Sequence, residues 1–133
     1  MNGWAGYSYI SGFDWQAGGY AGGTVTGIDP VIISTNDLGM DINENYIIRI
    51  RMKNGTTSTI GNIYFITDAD QTWDATKGKS FTINANDPNY TEYYLDMSTV
   101  QGWRGTLKQL RIDPVEGVTS GTFSIDYLRM DNQ

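Results

Sequence analysis

The chain of 133 residues contains no cysteine and no histidine. The first absence excludes a disulfide framework and any thiolate metal site. The second removes the usual general base, the Ser-His-Asp triad and the commonest zinc ligand. A metal held here must be hard and bound through oxygen, which puts calcium first. Long apolar runs are lacking too, since no stretch approaches the roughly 20 residues that a membrane helix needs. Met1-Asn2-Gly3-Trp4 has neither the basic nor the apolar region of a secretory leader. The expectation is an excised module with a start Met added, whose parent protein can still be exported. Positive charge is scarce: 9 Lys and Arg stand against 15 Asp and Glu, for a net charge of -6 and a pI near 4.3. That balance argues against nucleic acid and against an anionic membrane surface. It leaves a neutral polymer open, and an acidic one if a groove is locally basic.

Glycine and tyrosine are abundant, at 16 and 9 residues, and aromatics make up 13% of the chain. Glycine suits tight turns, while Tyr and Trp suit strands and sugar-stacking surfaces; both biases are also ordinary habits of β-proteins. No helical period persists. In Tyr46–Lys53, Tyr46, Ile48, Ile50 and Met52 alternate with Ile47, Arg49, Arg51 and Lys53, which predicts a strand with a core face and a polar face. Asn54-Gly55 ends it with a turn signal. Further strands are predicted over Tyr7–Ile10, Phe13–Gln16, Gly23–Gly27, Val31–Ser34, Gly61–Asp68, Ser80–Asn84 and Thr91–Met97, and two more near the end of the chain. In Gly61–Asp68, Ile63 and Phe65 share one face, Tyr64 and Ile66 the other. The segment Thr35–Asn45 is predicted as a polar loop with no more than a helical turn. Turn signals recur about every 8 to 15 residues, which suits an antiparallel sandwich in an all-β protein. With no internal repeat or linker, residues 1–133 read as one domain.

The run Trp103-Arg104-Gly105-Thr106-Leu107-Lys108-Gln109-Leu110-Arg111-Ile112-Asp113-Pro114, followed by Gly121-Thr122-Phe123-Ser124-Ile125-Asp126-Tyr127-Leu128-Arg129, carries the strongest signal. It resembles the last two strands of carbohydrate-binding modules with a galactose-binding-domain-like jelly-roll fold, the broad group around families 4, 9 and 22. Gly27-Ile28-Asp29-Pro30-Val31-Ile32, the strand from Tyr46, Ile63-Tyr64-Phe65-Ile66-Thr67 and Tyr90-Thr91-Glu92-Tyr93-Tyr94-Leu95-Asp96-Met97-Ser98 are similar to other segments of that group, in the same order. The resemblance implies an eight- to ten-stranded jelly roll, a sugar cleft on the concave sheet and one structural calcium, with Asp126 at a ligand position. It also implies attachment to a secreted or cell-surface bacterial protein, beside a linked catalytic domain. The group usually begins with a further strand carrying an acid, which here is not evident before Gly3-Trp4.

A pyranose ring is bound by flat aromatic side chains over its faces and polar groups around its edge. Trp15 and Trp73 are the leading stacking candidates, against core packing for Trp15 and a loop anchor for Trp73. Trp103 is a third candidate, although its place in the shared pattern favours architecture. Arg49 and Arg51 on the non-core face of one strand, with Gln109 and Arg111 on another, are candidates for the cleft floor; the alternative is a solvated face of ion pairs. Tyr64 and Tyr94 are candidates for the same floor. If several Arg share the cleft, an acid-substituted glycan such as xanthan or a decorated xylan is favoured. Asp126 interrupts an apolar strand and needs a cation or hydrogen-bond donors, with Arg129 the other partner within reach of the pattern. No motif raises one carboxylate pair above the other acids as hydrolytic machinery. The reading is a non-catalytic module that binds a β-linked polysaccharide with modest affinity. The alternatives are a small glycan-active hydrolase or lyase, and a spacer or adhesion sandwich with no glycan ligand.

Overall fold

The computed structural model describes residues 4–15 and 19–133. Its elements are β1 (Ala5–Ser8), β2 (Ile10–Trp15), β3 (Ala21–Val25), β4 (Val31–Ile33), β5 (Met40–Asp41), β6 (Ile47–Asn54), β7 (Ile60–Thr67), β8 (Gly78–Thr82), β9 (Thr91–Asp96), β10 (Thr106–Asp113) and β11 (Thr122–Asp131). Two antiparallel sheets stack face to face, as the sequence predicts. The first has the order β1-β4-β10-β7-β8, with β5 added on β10; the second has the order β2-β3-β11-β6-β9. The strands number eleven among the described residues, one more than the upper bound the resemblance implies.

Period-two alternation builds the core. Ile48, Ile50 and Met52 of β6 are fully buried, while Arg49, Arg51 and Lys53 remain half-buried on the outer side. In β7, Ile63 and Phe65 point inward and Tyr64 outward. Leu107, Leu110 and Ile112 of β10 and Phe123 and Ile125 of β11 meet them from both sheets in one buried cluster. Asn54, at the end of β6, is fully buried yet satisfied: its amide donates to the carbonyls of Ser58 and Asn84, and its oxygen accepts from Thr56. The Asn-Gly turn signal is thus also a buried polar staple.

Three expectations need correction. The first two strands are not separated at Ser11-Gly12. The break falls at Tyr9, whose φ of 50° turns the chain from β1 in the first sheet to β2 in the second. The segment Thr35–Asn45 contains β5, whose Met40 and Asp41 pair with Leu107 and Thr106, in place of a helical turn. Trp103 is a core residue and not an open stacking surface: it is 7% exposed, makes a T-shaped contact with Phe65 at a centroid distance of 4.8 Å, and donates its indole N–H to the Asn45 carbonyl at 3.2 Å. An indole with both faces in the core offers none to a ligand. Trp103→Ala is expected to destabilise the fold by about 3–5 kcal/mol, the cost of a large core cavity. Urea unfolding checks this; a loss below about 1 kcal/mol would mean that the core closes over the gap.

Candidate functional site

The outer face of the first sheet carries a cleft. Tyr64 of β7 and Arg111 of β10 sit side by side in register, and the Arg111 guanidinium carbon lies 5.2 Å from the Tyr64 ring centre. The position opposite Tyr64 on β8 is Gly78. A side chain there would put its Cβ 2.5 Å from the Tyr64 ring, so this glycine is what lets the phenol lie across the neighbouring strand. Arg111 is held by Asp113, two residues on and hence on the same face. Its Nε and Nη2 donate to the two carboxylate oxygens at 2.9 Å each, the bidentate geometry that fixes a guanidinium in plane. That bond keeps the Arg111 pKa raised, while burial and then the negative field of Asp113 hold the Tyr64 phenol above its ordinary range.

Trp73 completes the cleft from the loop between β7 and β8. The loop is short of apolar anchors but rich in local hydrogen bonds. The Asp70 amide donates to the Thr67 carbonyl, the Thr72 amide to the Asp70 carboxylate at 3.2 Å, and the Thr76 amide to the Asp74 carboxylate at 2.8 Å. Lys77, only 6% exposed, sends its ammonium to the Thr72 carbonyl and to Asp70. So tied, the loop holds Trp73 at 38% exposure beside a cavity of about 260 Å³ lined by Tyr64, Trp73, Asp74, Ala75 and Arg111. A larger hollow of about 510 Å³ lies on the other side of Asp74, between the loop and Gln101–Arg104.

Beside Arg111, three carboxylates converge. Asp29 from the β3–β4 loop, Asp113 at the end of β10 and Glu116 just beyond it bring oxygens within 4.8 Å of one another. Asp113 is 2% exposed, and Glu116 Oε1 is buried without a hydrogen-bond partner. Burial first, then the Asp113 carboxylate, push the Glu116 pKa up to about 7, and the same two causes raise Asp29. The donors are all hard oxygens, so the triad can hold an ion of the calcium type. Sequence reasoning missed it, although a signal was present: Ile28-Asp29-Pro30 and Ile112-Asp113-Pro114 are the same tripeptide in two segments that the fold brings together.

The other predicted residues divide. Gln109 is on the same sheet as Arg111, but its amide is engaged with the Ser34 carbonyl at 2.8 Å. Arg49, Arg51 and Tyr94 are on the outer face of the second sheet, across the sandwich from Tyr64 and Arg111, so they do not share a floor with them. There Arg49 reaches Glu92 at 3.2 Å and Asp131 at 3.4 Å and lies over Tyr94, and Arg51 lies over Tyr90. The ion-paired alternative for these two arginines describes them. Asp126 is neither buried nor near the acidic triad: alternation with the buried Phe123 and Ile125 sets it on the outer side of β11, where it pairs with Arg51 at 2.5 Å. It is therefore not placed to join a metal site with the triad, and its partner is Arg51, with no contact to Arg129 in that role. The side chain of Trp15 lies outside the described residues.

The two-sheet architecture is similar to that of solved carbohydrate-binding modules. Among solved structures, a family 4 module aligns over 98% of this chain and 86% of its own, at 14% identity and a TM-score of 0.66. The low-affinity xylan-binding module CBM86 of Roseburia intestinalis aligns over 98% and 94%, at 9% identity and 0.59. A CBM29-2 variant complexed with cellulohexaose aligns over 97% and 81%, at 13% identity and 0.59. The likeness is one of fold, and of the three families read from the sequence it includes family 4. No protein-family profile and no curated sequence matches the chain.

Glu116 makes a pH signature. With its folded pKa near 7 against 4.5 for the free group, the folded state binds the extra proton between those values. Its contribution to stability is therefore fully present below the unfolded value and is lost as pH rises through the folded one. In chelator-treated buffer, the melting temperature of the wild type is expected to fall relative to that of Glu116→Gln between about pH 5 and pH 7.5. Parallel melting profiles would show that Glu116 titrates as a free side chain does.

Proposed function

We propose that the chain is a non-catalytic module that binds a neutral β-linked polysaccharide at the Trp73–Tyr64–Arg111 cleft. The observation that carries this is the pairing of an exposed indole and a phenol with a guanidinium already fixed in plane by Asp113. The rings cover C–H faces of a pyranose, and the guanidinium and the Asp74 carboxylate meet its hydroxyls. Each sugar hydrogen bond replaces one to water, so affinity is modest, micromolar or weaker. The solved neighbours support the ligand class, being modules for xylan, non-crystalline cellulose, cellulohexaose and mannohexaose.

A neutral glycan fits better than an acid-substituted one. The case for xanthan or a uronate-bearing xylan required Arg49, Arg51 and Arg111 in one cleft, and they stand on opposite sheets. The one arginine that faces the cleft is surrounded by Asp29, Asp113 and Glu116, which repel a uronate. Hydrolysis is not supported either: among the described residues Asp74 is the single carboxylate lining the cleft, and the Thr76 amide and hydroxyl hold its pKa low, so no proton donor and base face each other there. The role is to hold a linked catalytic domain at its polymer on a secreted or cell-surface bacterial protein, an effective-concentration gain.

Calcium belongs at Asp29, Asp113 and Glu116 in this reading. Once Glu116 is ionised, three carboxylates against the Arg111 guanidinium leave two negative charges, and the unpartnered Glu116 oxygen supplies an acceptor. Bound there, calcium would neutralise the triad and steady the loops that carry it.

Two sets of outcomes check these proposals. In affinity electrophoresis on xylan, mannan and β-glucans, the wild type is expected to be retarded with no release of reducing ends. Trp73→Ala and Arg111→Met should weaken binding by about tenfold or more, ~1.4 kcal/mol, while Arg49→Met and Tyr94→Ala leave it unchanged. Retardation that depends on Arg49 and Tyr94 would move the site to the other sheet, and reducing-end release would make the protein an enzyme. Separately, calcium is expected to raise the melting temperature of the wild type but not of Glu116→Gln; an equal response in both would remove the ion from this site.

A further inference from the structure

The outer face of the first sheet does not end at Arg111. Tyr64 of β7 pairs with Arg111 of β10, Arg111 with Ile33 of β4, and Ile33 with Ala5 of β1, one continuous row across the strands. Three strand spacings separate its ends, about 14 Å at the usual interstrand distance. Ala5 is small and exposed, so no bulky side chain on β1 walls off this end of the row.

At that end, β1 carries a bulge. Gly6 pairs with Ile32, but Tyr7 and Ser8 together oppose the single residue Val31. Before the bulge, alternation with Gly6, itself exposed but aimed at Ile10 of the other sheet, puts Tyr7 on the outer face with Ala5. A Cβ on Gly6 would meet Ile10 at 3.5 Å, which marks its inward direction. Tyr7 is 68% exposed, the most open of the large hydrophobic side chains, and it makes no hydrogen bond through its hydroxyl and no ring contact among the described residues. The neighbouring Tyr9 is different: its ring lies against Gly27, where a Cβ would come within 2.4 Å, so its face is already used for packing. An unengaged aromatic on an edge strand is a liability for aggregation unless something covers it.

We infer that Tyr7 is a distal sugar-stacking platform, and that a glycan chain lies across the strands from Trp73 and Tyr64, over Arg111, to the edge at β1. This rests on the glycan reading of the cleft. It adds that the ligand is engaged as a stretch longer than a disaccharide, because only such a stretch spans both aromatic ends. Asp29, whose carboxylate stands 3.7 Å from Arg111, lies in the loop that leads into β4, along the path between them.

The test is length dependence. Calorimetric titration uses a hexasaccharide and a disaccharide of the polymer that retards the wild type, with Tyr7→Ala, Tyr7→Phe and Trp73→Ala compared. The wild type is expected to bind the hexasaccharide about tenfold or more tighter than the disaccharide. Tyr7→Ala should lose most of that gain while binding the disaccharide as the wild type does, Tyr7→Phe should keep it, and Trp73→Ala should weaken both ligands. Equal affinity of Tyr7→Ala and wild type for the hexasaccharide overturns the inference and leaves the cleft standing. So does an equal weakening of both ligands, which would make Tyr7 structural, or a change confined to self-association in sedimentation, which would make it an edge contact between copies. Failure of the wild type to bind either length overturns the glycan reading and this inference together.

Discussion

The clamp between Arg111 and Asp113 is the interaction on which the functional face depends. A carboxylate that is 2% exposed must be matched by donors or a cation, because leaving it bare costs several kcal/mol. The guanidinium two residues earlier on the same strand meets that demand with two parallel hydrogen bonds. Satisfying the acid fixes the arginine, and the fixed arginine in turn lies over Tyr64 and faces the Trp73 cleft. The same acid shares a cluster with Asp29 and Glu116, whose pKa values its charge raises. A single ion pair thus joins the Trp73–Tyr64 cleft on one side to a hard-oxygen cluster on the other, and the charge state of the cluster bears on the electrostatics of the cleft.

The two outer faces of the sandwich use similar residues to different ends. On the second sheet, Arg49 and Arg51 lie over tyrosine rings and reach nearby carboxylates, and the Tyr127 hydroxyl closes onto Glu92. Such exposed pairs are worth little individually and are screened by salt. Their donors are engaged by nearby carboxylates and rings, although the Tyr94 ring itself stays 54% exposed. On the first sheet the rings of Trp73 and Tyr7 are open to solvent, and the polar groups beside them are few and fixed. Preorganisation of this kind limits the ordering cost of binding, which matters where each sugar hydrogen bond merely replaces one to water.

The fold was legible in the sequence because alternation is a local property. Ile48, Ile50 and Met52, or Ile63 and Phe65, declare a buried face without reference to any partner, and the recurrent order of segments around Ile112-Asp113-Pro114 declares the sandwich. Tyr64, Trp73 and Arg111 were legible as candidates by the same logic, as outward or loop-borne groups with sugar-binding chemistry. What local pattern does not reveal is which strands are neighbours. Arg49 and Arg111 read alike as outward arginines, yet β6 and β10 belong to different sheets. Asp126 read as an acid inside an apolar strand, yet it stands on the outer side of that strand, where Arg51 of the neighbouring β6 meets it. Trp103 read as a stacking candidate because its type is right, and its edge contact with Phe65 depends on residues far away in the chain.

By itself, then, the sequence determined that the protein is an all-β sandwich, that it has no histidine- or cysteine-based chemistry, and that outward or loop-borne aromatic and guanidinium groups are available on its surface. Periodicity and composition act over a few residues and survive without a partner. Only the tertiary structure decided which aromatics are open, which arginines are already neutralised, and that Asp29, Asp113 and Glu116 meet. Those outcomes depend on strand order and on burial, and both are set when segments as far apart as Asp29 and Asp113 close on each other and exclude the water between them.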